Sequence, residues 1–353
     1  MDYTKKLASL MEAVLAQGAS DLHLSAGSNP TMRVSGALVP MLSEPMLAPE
    51  DTAELLKAML TPEALKRFTD TKEIDFSYSF GEKTRFRGNG YVERGKVAVA
   101  LRLIPQQIKT IRDLNLPSVV ETFATREQGF FLVVGPVGQG KTTTLASMIE
   151  MINQTRTEHI VTIEDPIEYL FENKKSLINQ REVKIDTADF PSALESVFRE
   201  DVDVVMIGEM RAPETIATAV TAAETGHLVF STLHTNNASQ TIDRIIDSFP
   251  GNQQDQIRVQ LAGSLIGIFS QRLLPRISGG LVPACELLIN NSAVSNLIRE
   301  RRTHEIPTVI ETSAESGMID MNRSLAELVR AGEISIETAY SRSWNPKSLE
   351  RLI

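Results

Sequence analysis

Cysteine is nearly absent: Cys285 is the single one in 353 residues. One thiol cannot close an intramolecular disulfide or build a multi-cysteine zinc site. It lies in the apolar run 281–289 and reads as a small core residue. Long apolar runs are also missing, and no stretch approaches the ~20 residues of a membrane-spanning helix. The start, Met1-Asp2-Tyr3-Thr4-Lys5-Lys6, leads into a mixed helical pattern rather than a signal-peptide core, so export is not expected. Basic residues are in deficit, with 36 Lys and Arg against 45 Asp and Glu, a formal charge of −9. Broad nucleic-acid binding needs the opposite balance, so no nucleic-acid partner is expected. No repeat and no low-complexity tract interrupts the chain. With 42% hydrophobic and 23% charged residues, the composition is that of a soluble globular protein of about two domains, expected in the cytoplasm.

What the chain does have is one dense stretch, Gly135-Pro136-Val137-Gly138-Gln139-Gly140-Lys141-Thr142. The apolar run 129–134 precedes it, and a helical pattern from Thr143 to Ile152 follows. Strand, glycine-rich turn, Lys-Thr and helix is the P-loop arrangement. The glycines let consecutive N–H groups converge on a phosphate, and the helix start adds unpaired N–H groups and partial positive charge. Lys141 then reaches the β- and γ-phosphates of ATP, and the Thr142 hydroxyl is placed to ligate Mg²⁺.

The texture of the chain changes at this motif. Before it, helices are expected over 1–18 and 48–68, the latter broken near Pro62. Strands are expected over 20–25, 31–39, 74–80, 85–92 and 97–104, the last two joined by Glu93-Arg94-Gly95-Lys96. Segregated helices and antiparallel strands indicate an α+β domain over 1–105, with 106–118 as linker. From 119 to 290, strands at 130–134, 160–163, 204–207 and 228–233 alternate with helices at 143–152, 191–198, 214–223 and 239–246. That alternation indicates a parallel α/β sheet with the P-loop at the carboxyl end of its first strand. A long helix is expected over 253–274 and a late strand over 281–289. The region 291–353 reads as short helices at 294–302, 321–330 and 336–342.

ATP hydrolysis also needs carboxylates and a γ-phosphate sensor. Val204–Ile207 leads through Gly208 to Glu209, a Walker-B-like strand end. Glu209 would polarise the lytic water or hold a Mg²⁺-bound water; alternatively it caps the helix opening near Pro213. Ile163-Glu164-Asp165-Pro166-Ile167-Glu168 is a second acidic strand end, either drawn to Mg²⁺–ATP or a solvated turn. His227 and His234 bracket the strand 228–233 at a separation of seven, so they face opposite sides and do not share a metal. His234 lies at the carboxyl end, as a γ-phosphate sensor would. His227 lies at the other end and suits a partner element or a neighbouring subunit. Arg85, Arg87, Arg94 and Arg102 crowd one hairpin, either as a solvated face or as arginine fingers reaching a neighbour's phosphates.

These motifs together resemble the secretion ATPase superfamily, most closely its retraction-motor (PilT) family. Gly135–Thr142 is similar to Walker A, Ile163–Glu168 to the Asp box, Val204–Glu209 to an atypical Walker B and Thr225–His234 to the His box. Ser20-Asp21-Leu22-His23-Leu24 is similar to the N-terminal signature. The resemblance implies an N-terminal PAS-like α+β domain, a RecA-like P-loop ATPase domain and a ring of six subunits. It implies catalytic roles for Glu164, Glu168, Glu209 and His234, with nucleotide held by Gly135–Thr142 and Thr143. It places Arg87, Arg94 and Arg102 over the nucleotide, and Arg272 and His227 at further nucleotide-linked positions. The implied partners are an inner-membrane pilus platform protein and a second pilus ATPase, at the cytoplasmic base of a type IV pilus. Val137 and Gln139 stand where the family has Thr and Ser. Ser295 replaces the arginine of a C-terminal motif linked to retraction, so an accessory, PilU-like motor is the alternative reading.

Overall fold

The computed structural model describes residues 2–34, 36–81, 84–105 and 107–353. The chain divides into two compact units, Met1–Gln107 with Pro166–Leu170, and Ile108–Asp165 with Phe171–Ile353.

In the first unit, α1 (Tyr3–Ala16) starts at Asp2, whose side chain accepts the Lys5 N–H and satisfies a donor left open at the helix start. The helix buries Leu7, Leu10, Met11 and Val14. The strands β1 (Asp21–Ser25), β2 (Thr31–Val34) and β3 (Ala37–Pro40) follow. Next come α2 (Pro49–Met59), α3 (Pro62–Thr71), β4 (Glu73–Phe80), β5 (Thr84–Glu93) and β6 (Lys96–Leu103). The sheet runs β3-β2-β1-β6-β5-β4, antiparallel throughout. The expected strand over 31–39 is instead a hairpin turning at Gly36, whose φ of 87° suits glycine. On β5, Phe86 is fully buried on one face while Arg85 and Arg87 share the other. The Phe76 ring lies so close over Gly88 that a Cβ there would meet it at 2.3–2.7 Å.

The second unit opens with α4 (Glu121–Ala124), β7 (Gly129–Val134), α5 (Lys141–Thr155), β8 (His159–Glu164) and β9 (Leu177–Glu182). It continues with α6 (Phe190–Val197), β10 (Val204–Ile207), α7 (Pro213–Glu224), β11 (Leu228–Leu233), α8 (Ala238–Asp247) and α9 (Gln254–Ser264). The remaining strands are β12 (Leu265–Pro275) and β13 (Leu281–Ile289). The last helices are α10 (Ser292–Arg299), α11 (Ile306–Thr312), α12 (Met321–Arg330), α13 (Ile336–Arg342) and α14 (Pro346–Glu350). The sheet order is β13-β12-β7-β11-β10-β8-β9. Pairing is parallel from β12 to β9, and β13 joins antiparallel at one edge. Wholly buried runs such as Phe130–Val134 fit a sheet covered on both faces. α12 and α14 pack on the ends of β12 and β13, where Leu274, Val282 and Ala284 meet Met321, Leu325 and Leu349.

The expected helix over 253–274 is corrected. It ends at Ser264, and Leu265 begins β12, the strand beside β7. Leu265-Ile266-Gly267-Ile268-Phe269 is a short apolar run that periodicity cannot assign, and the open edge of β7 decides it. Gly267 permits the approach, since a Cβ would lie 2.7 Å from the Phe123 ring and 3.0 Å from the Leu288 carbonyl oxygen. β9, α11 and α14 were not anticipated from the sequence pattern. Gly88→Ala tests the tightest close approach in the first unit. Overpacking of this kind costs about 1–3 kcal/mol, so scanning calorimetry should show a lower Tm. Adding Phe76→Leu should recover part of the loss.

Candidate nucleotide site

The parallel pairing aligns four strand ends. Val134 of β7 stands opposite Leu233 of β11, and Ile207 of β10 stands between Ser231 of β11 and Ile163 of β8. The glycine loop, His234, Glu209 and Glu164 each follow or close one of these strands. Side-chain ties fix the edge. Ser231 Oγ donates to the Ile207 carbonyl at 2.8 Å, and Thr232 Oγ1 donates to the Gly208 carbonyl at 2.7 Å. The Gly208 N–H donates to the Ile163 carbonyl at 2.8 Å. A Cβ on Gly208 would sit 3.5 Å from Glu164 Cα, so the two acidic strand ends are immediate neighbours.

The loop curls as its glycines allow. Gly135, Gly138 and Gly140 have φ of 150°, 76° and 80°. At Gly135 a Cβ would come within 2.6 Å of the Gln271 carbonyl oxygen. Gly140 at the start of α5 gives no side-chain cap, and a helix start of this kind suits an anion. Lys141 is buried and folds back over its own loop, donating to the carbonyls of Gly135 at 2.8 Å and Pro136 at 2.9 Å. Its Nζ also lies 3.2 Å from His234 Nδ1. An ammonium only donates, so Nδ1 accepts, and the proton of a neutral ring then sits on Nε2. That nitrogen faces Glu209 Oε2 at 3.4 Å. Lysine, histidine and glutamate thus form one chain across three strand ends. Arg211 holds the outer side of Glu209 at 2.9 Å.

The other expected residues fall into three groups. Glu164 is buried and accepts from Thr162 Oγ1 at 2.8 Å and Gln180 Nε2 at 3.2 Å. Glu168 belongs to the first unit, where it pairs with Arg87 at 3.4 Å. Arg94 is exposed at the β5–β6 turn, and Arg102 pairs with Asp21 at 2.9 Å. Burial would raise the Asp21 carboxyl, but the Ser20 hydroxyl and Arg102 outweigh it and hold the carboxyl below its ordinary value. His227 precedes β11 at the edge away from the loop. Its Nδ1 lies 3.0 Å from the Ala222 carbonyl, and its ring meets Phe198 edge-on at 5.6 Å. Within this chain His227 is therefore not part of the cradle. Arg272 is 9% exposed and binds Asn236 Oδ1 at 2.8 Å, close to Gly135.

A strand, a curled glycine loop with its lysine, an uncapped helix and an acid at the end of the next strand but one define a P-loop ATPase. The chain belongs to the type II/IV secretion system protein family, whose pattern matches residues 3–345. The type IV pilus retraction ATPase PilT of Pseudomonas aeruginosa is 42% identical, over 99% of this chain and 100% of that protein. The type IV pilus ATPase PilU of the same organism is 37% identical, over 98% of this chain and 90% of its own length. A crystal structure of the pilus retraction motor PilT with bound ADP superposes with a TM-score of 0.91, at 47% identity over 98% of both chains.

Two glutamines hold the loop in a way that motif spacing did not reveal. Gln271 Nε2 donates to the Gln139 carbonyl at 2.7 Å, and its Oε1 accepts from Thr144 Oγ1 at 2.7 Å. Gln139 Oε1 accepts the Leu273 N–H at 2.8 Å. Gln139 therefore uses its side chain to staple the loop to β12. Val137, by contrast, is 80% exposed at the loop tip and lends only its backbone. Reading 253–274 as a helix hid Gln271. Gln271→Ala leaves buried groups unpaired at about 1–3 kcal/mol, so titration calorimetry should show ATP binding about tenfold weaker or more. Gln139→Ser, which restores the residue usual in the family, should bind ATP with a smaller loss.

Proposed function

We propose that this chain is an ATP-driven motor of type IV pilus retraction, working as a ring of six at the cytoplasmic face of the inner membrane. The supporting observation is its end-to-end likeness to PilT, together with the Lys141–His234–Glu209 chain at the loop. ATP phosphates take the place of the Gly135 and Pro136 carbonyls as acceptors for Lys141. Glu209 orients and polarises the attacking water, and His234 couples the lysine to that carboxylate. Mg²⁺ suits the same edge: among the described residues the Thr142 hydroxyl makes no hydrogen bond, and Glu209 lies across the loop. The ion would neutralise phosphate charge when bound. Glu164 keeps the acidic edge in place beside Gly208.

Arg87, Arg94 and Arg102 serve a neighbouring subunit's nucleotide in this reading. The Arg87–Glu168 and Arg102–Asp21 pairs leave the arginine side chains 43% and 72% exposed. The Arg87–Glu168 pair, exposed on both sides, is worth ~0–1 kcal/mol and releases readily to a phosphate, whereas Arg102 leaves its partner at a cost, because Asp21 is buried. The pilus platform protein is the proposed load.

An accessory, PilU-like role is the second reading, and Ser295 favours it. Its hydroxyl turns inward to the Ala262 carbonyl at 2.9 Å and to Asn290 Oδ1 at 3.1 Å, where the retraction motif carries a guanidinium. Glu209→Gln should retain ATP binding while turnover by the purified chain falls ~10²-fold or more. Undiminished turnover would remove Glu209 from its role. Pilus retraction restored by this chain alone, in cells lacking other motors, is the expected result; retraction only beside a second motor establishes the accessory reading.

A further inference from the structure

Glu209 does not stand alone at its strand end: Arg211 follows it, one residue past Met210. The backbone between the two is fixed from the core side. Met210 is 2% exposed and belongs to the apolar cluster under the sheet, and its N–H donates to the Thr232 carbonyl at 3.3 Å. Side chains alternate along an extended chain, so with Met210 turned inward its two neighbours turn outward together. Exposure follows that alternation, at 26% for the Glu209 side chain and 78% for that of Arg211. Beyond Arg211 the chain is held again. Ala212 is extended, at φ −88° and ψ 141°, and Pro213 opens α7 with its φ already set for a helix.

The contact between the two side chains is lopsided. Nη2 of Arg211 lies 2.9 Å from Glu209 Oε1 and donates to Oε2 at 3.0 Å. His234 Nε2 meets the same Oε2 at 3.4 Å. An ionised carboxylate offers about two acceptor sites on each oxygen, so the guanidinium and the imidazole together fill Oε2. Oε1 keeps room for another donor. A glutamate side chain has rotamers to choose among, and an ion pair on one flank with a hydrogen bond on the other selects between them. The carboxylate is thus held by one oxygen and presents the other.

We propose that Arg211 is a positioning residue for Glu209, filling Oε2 together with His234 so that Oε1 accepts from the attacking water. The proposal rests on the reading of Glu209 as the acid that orients this water. Arg211 acts through that carboxylate and touches no nucleotide in this role, so its effect falls on the cleavage step and not on ATP affinity. The contact uses a single nitrogen rather than the two-pronged guanidinium fork, so a lysine ammonium can make it as well. The arginine side is open to solvent, which limits the effect to about fivefold in rate.

The test measures single-turnover ATP cleavage by the full chain, with ATP affinity followed by titration calorimetry. Arg211→Ala should cleave about fivefold more slowly, with affinity and melting temperature unchanged. Arg211→Lys should recover most of the lost rate. The double variant Glu209→Gln with Arg211→Ala should be no slower than Glu209→Gln alone, because the arginine acts only through that acid. Full-rate cleavage by Arg211→Ala would overturn the proposal, and a faster rate would make the arginine a brake instead. Weakened ATP affinity, no recovery with lysine, or losses that multiply in the double variant would overturn it as well. The two readings fail separately. A Glu209→Gln chain at full rate sinks the assignment of the acid and this proposal with it; an impaired Glu209→Gln chain beside an unimpaired Arg211→Ala chain sinks this proposal alone.

Discussion

A single ammonium, that of Lys141, ties the site together. It sits in low exposure, where an unmatched charge is costly, so its acceptors must be supplied by the fold. The loop supplies two of its own carbonyls and β11 supplies the imidazole of His234. The imidazole's other nitrogen then has its proton directed at Glu209. A change in what the lysine touches is thereby felt two residues away, at Glu209, the acid proposed to orient the attacking water.

The loop's shape depends on β12 as much as on its glycines. Gln271 grips it at Gln139 and at the first turn of α5, and the Gln271 carbonyl sits where a side chain on Gly135 would go. Conformational freedom at Gly135 and Gly140 is thus used up by contacts from one neighbouring strand. Such a loop is preorganised, and the ordering cost is met in folding rather than on nucleotide arrival.

Much of this could be read from residues alone. The P-loop, the acid at 209 and the histidine at 234 carry local signals: glycine spacing, an apolar strand and a polar residue at its carboxyl end. Alternation in 85–87 and 74–80 gave the sheet faces of the first unit correctly. What stayed hidden depends on long-range packing. The run 265–269 has no period that separates a central strand from a buried helix, so Gln271 and its grip on the loop were invisible. Glu168 reads as part of the acidic edge, yet Pro166–Leu170 joins the first unit and gives it Arg87 as a partner. No local pattern encodes that excursion.

β12 also reaches the helices at the end of the chain. Along it, Ser270 and Arg272 turn towards Asn236, and Leu274 turns into the cluster formed with Met321 and Leu349. Phe269 and Gln271, on the opposite face, meet the aromatic core and the loop. Parity therefore separates two mechanical clients of one strand, one bracing the glycine loop and one anchoring the helices that follow. Sliding this strand by a single position would exchange the two sets at once, so the ladder to β7 acts as a ratchet stop for both ends of the machine.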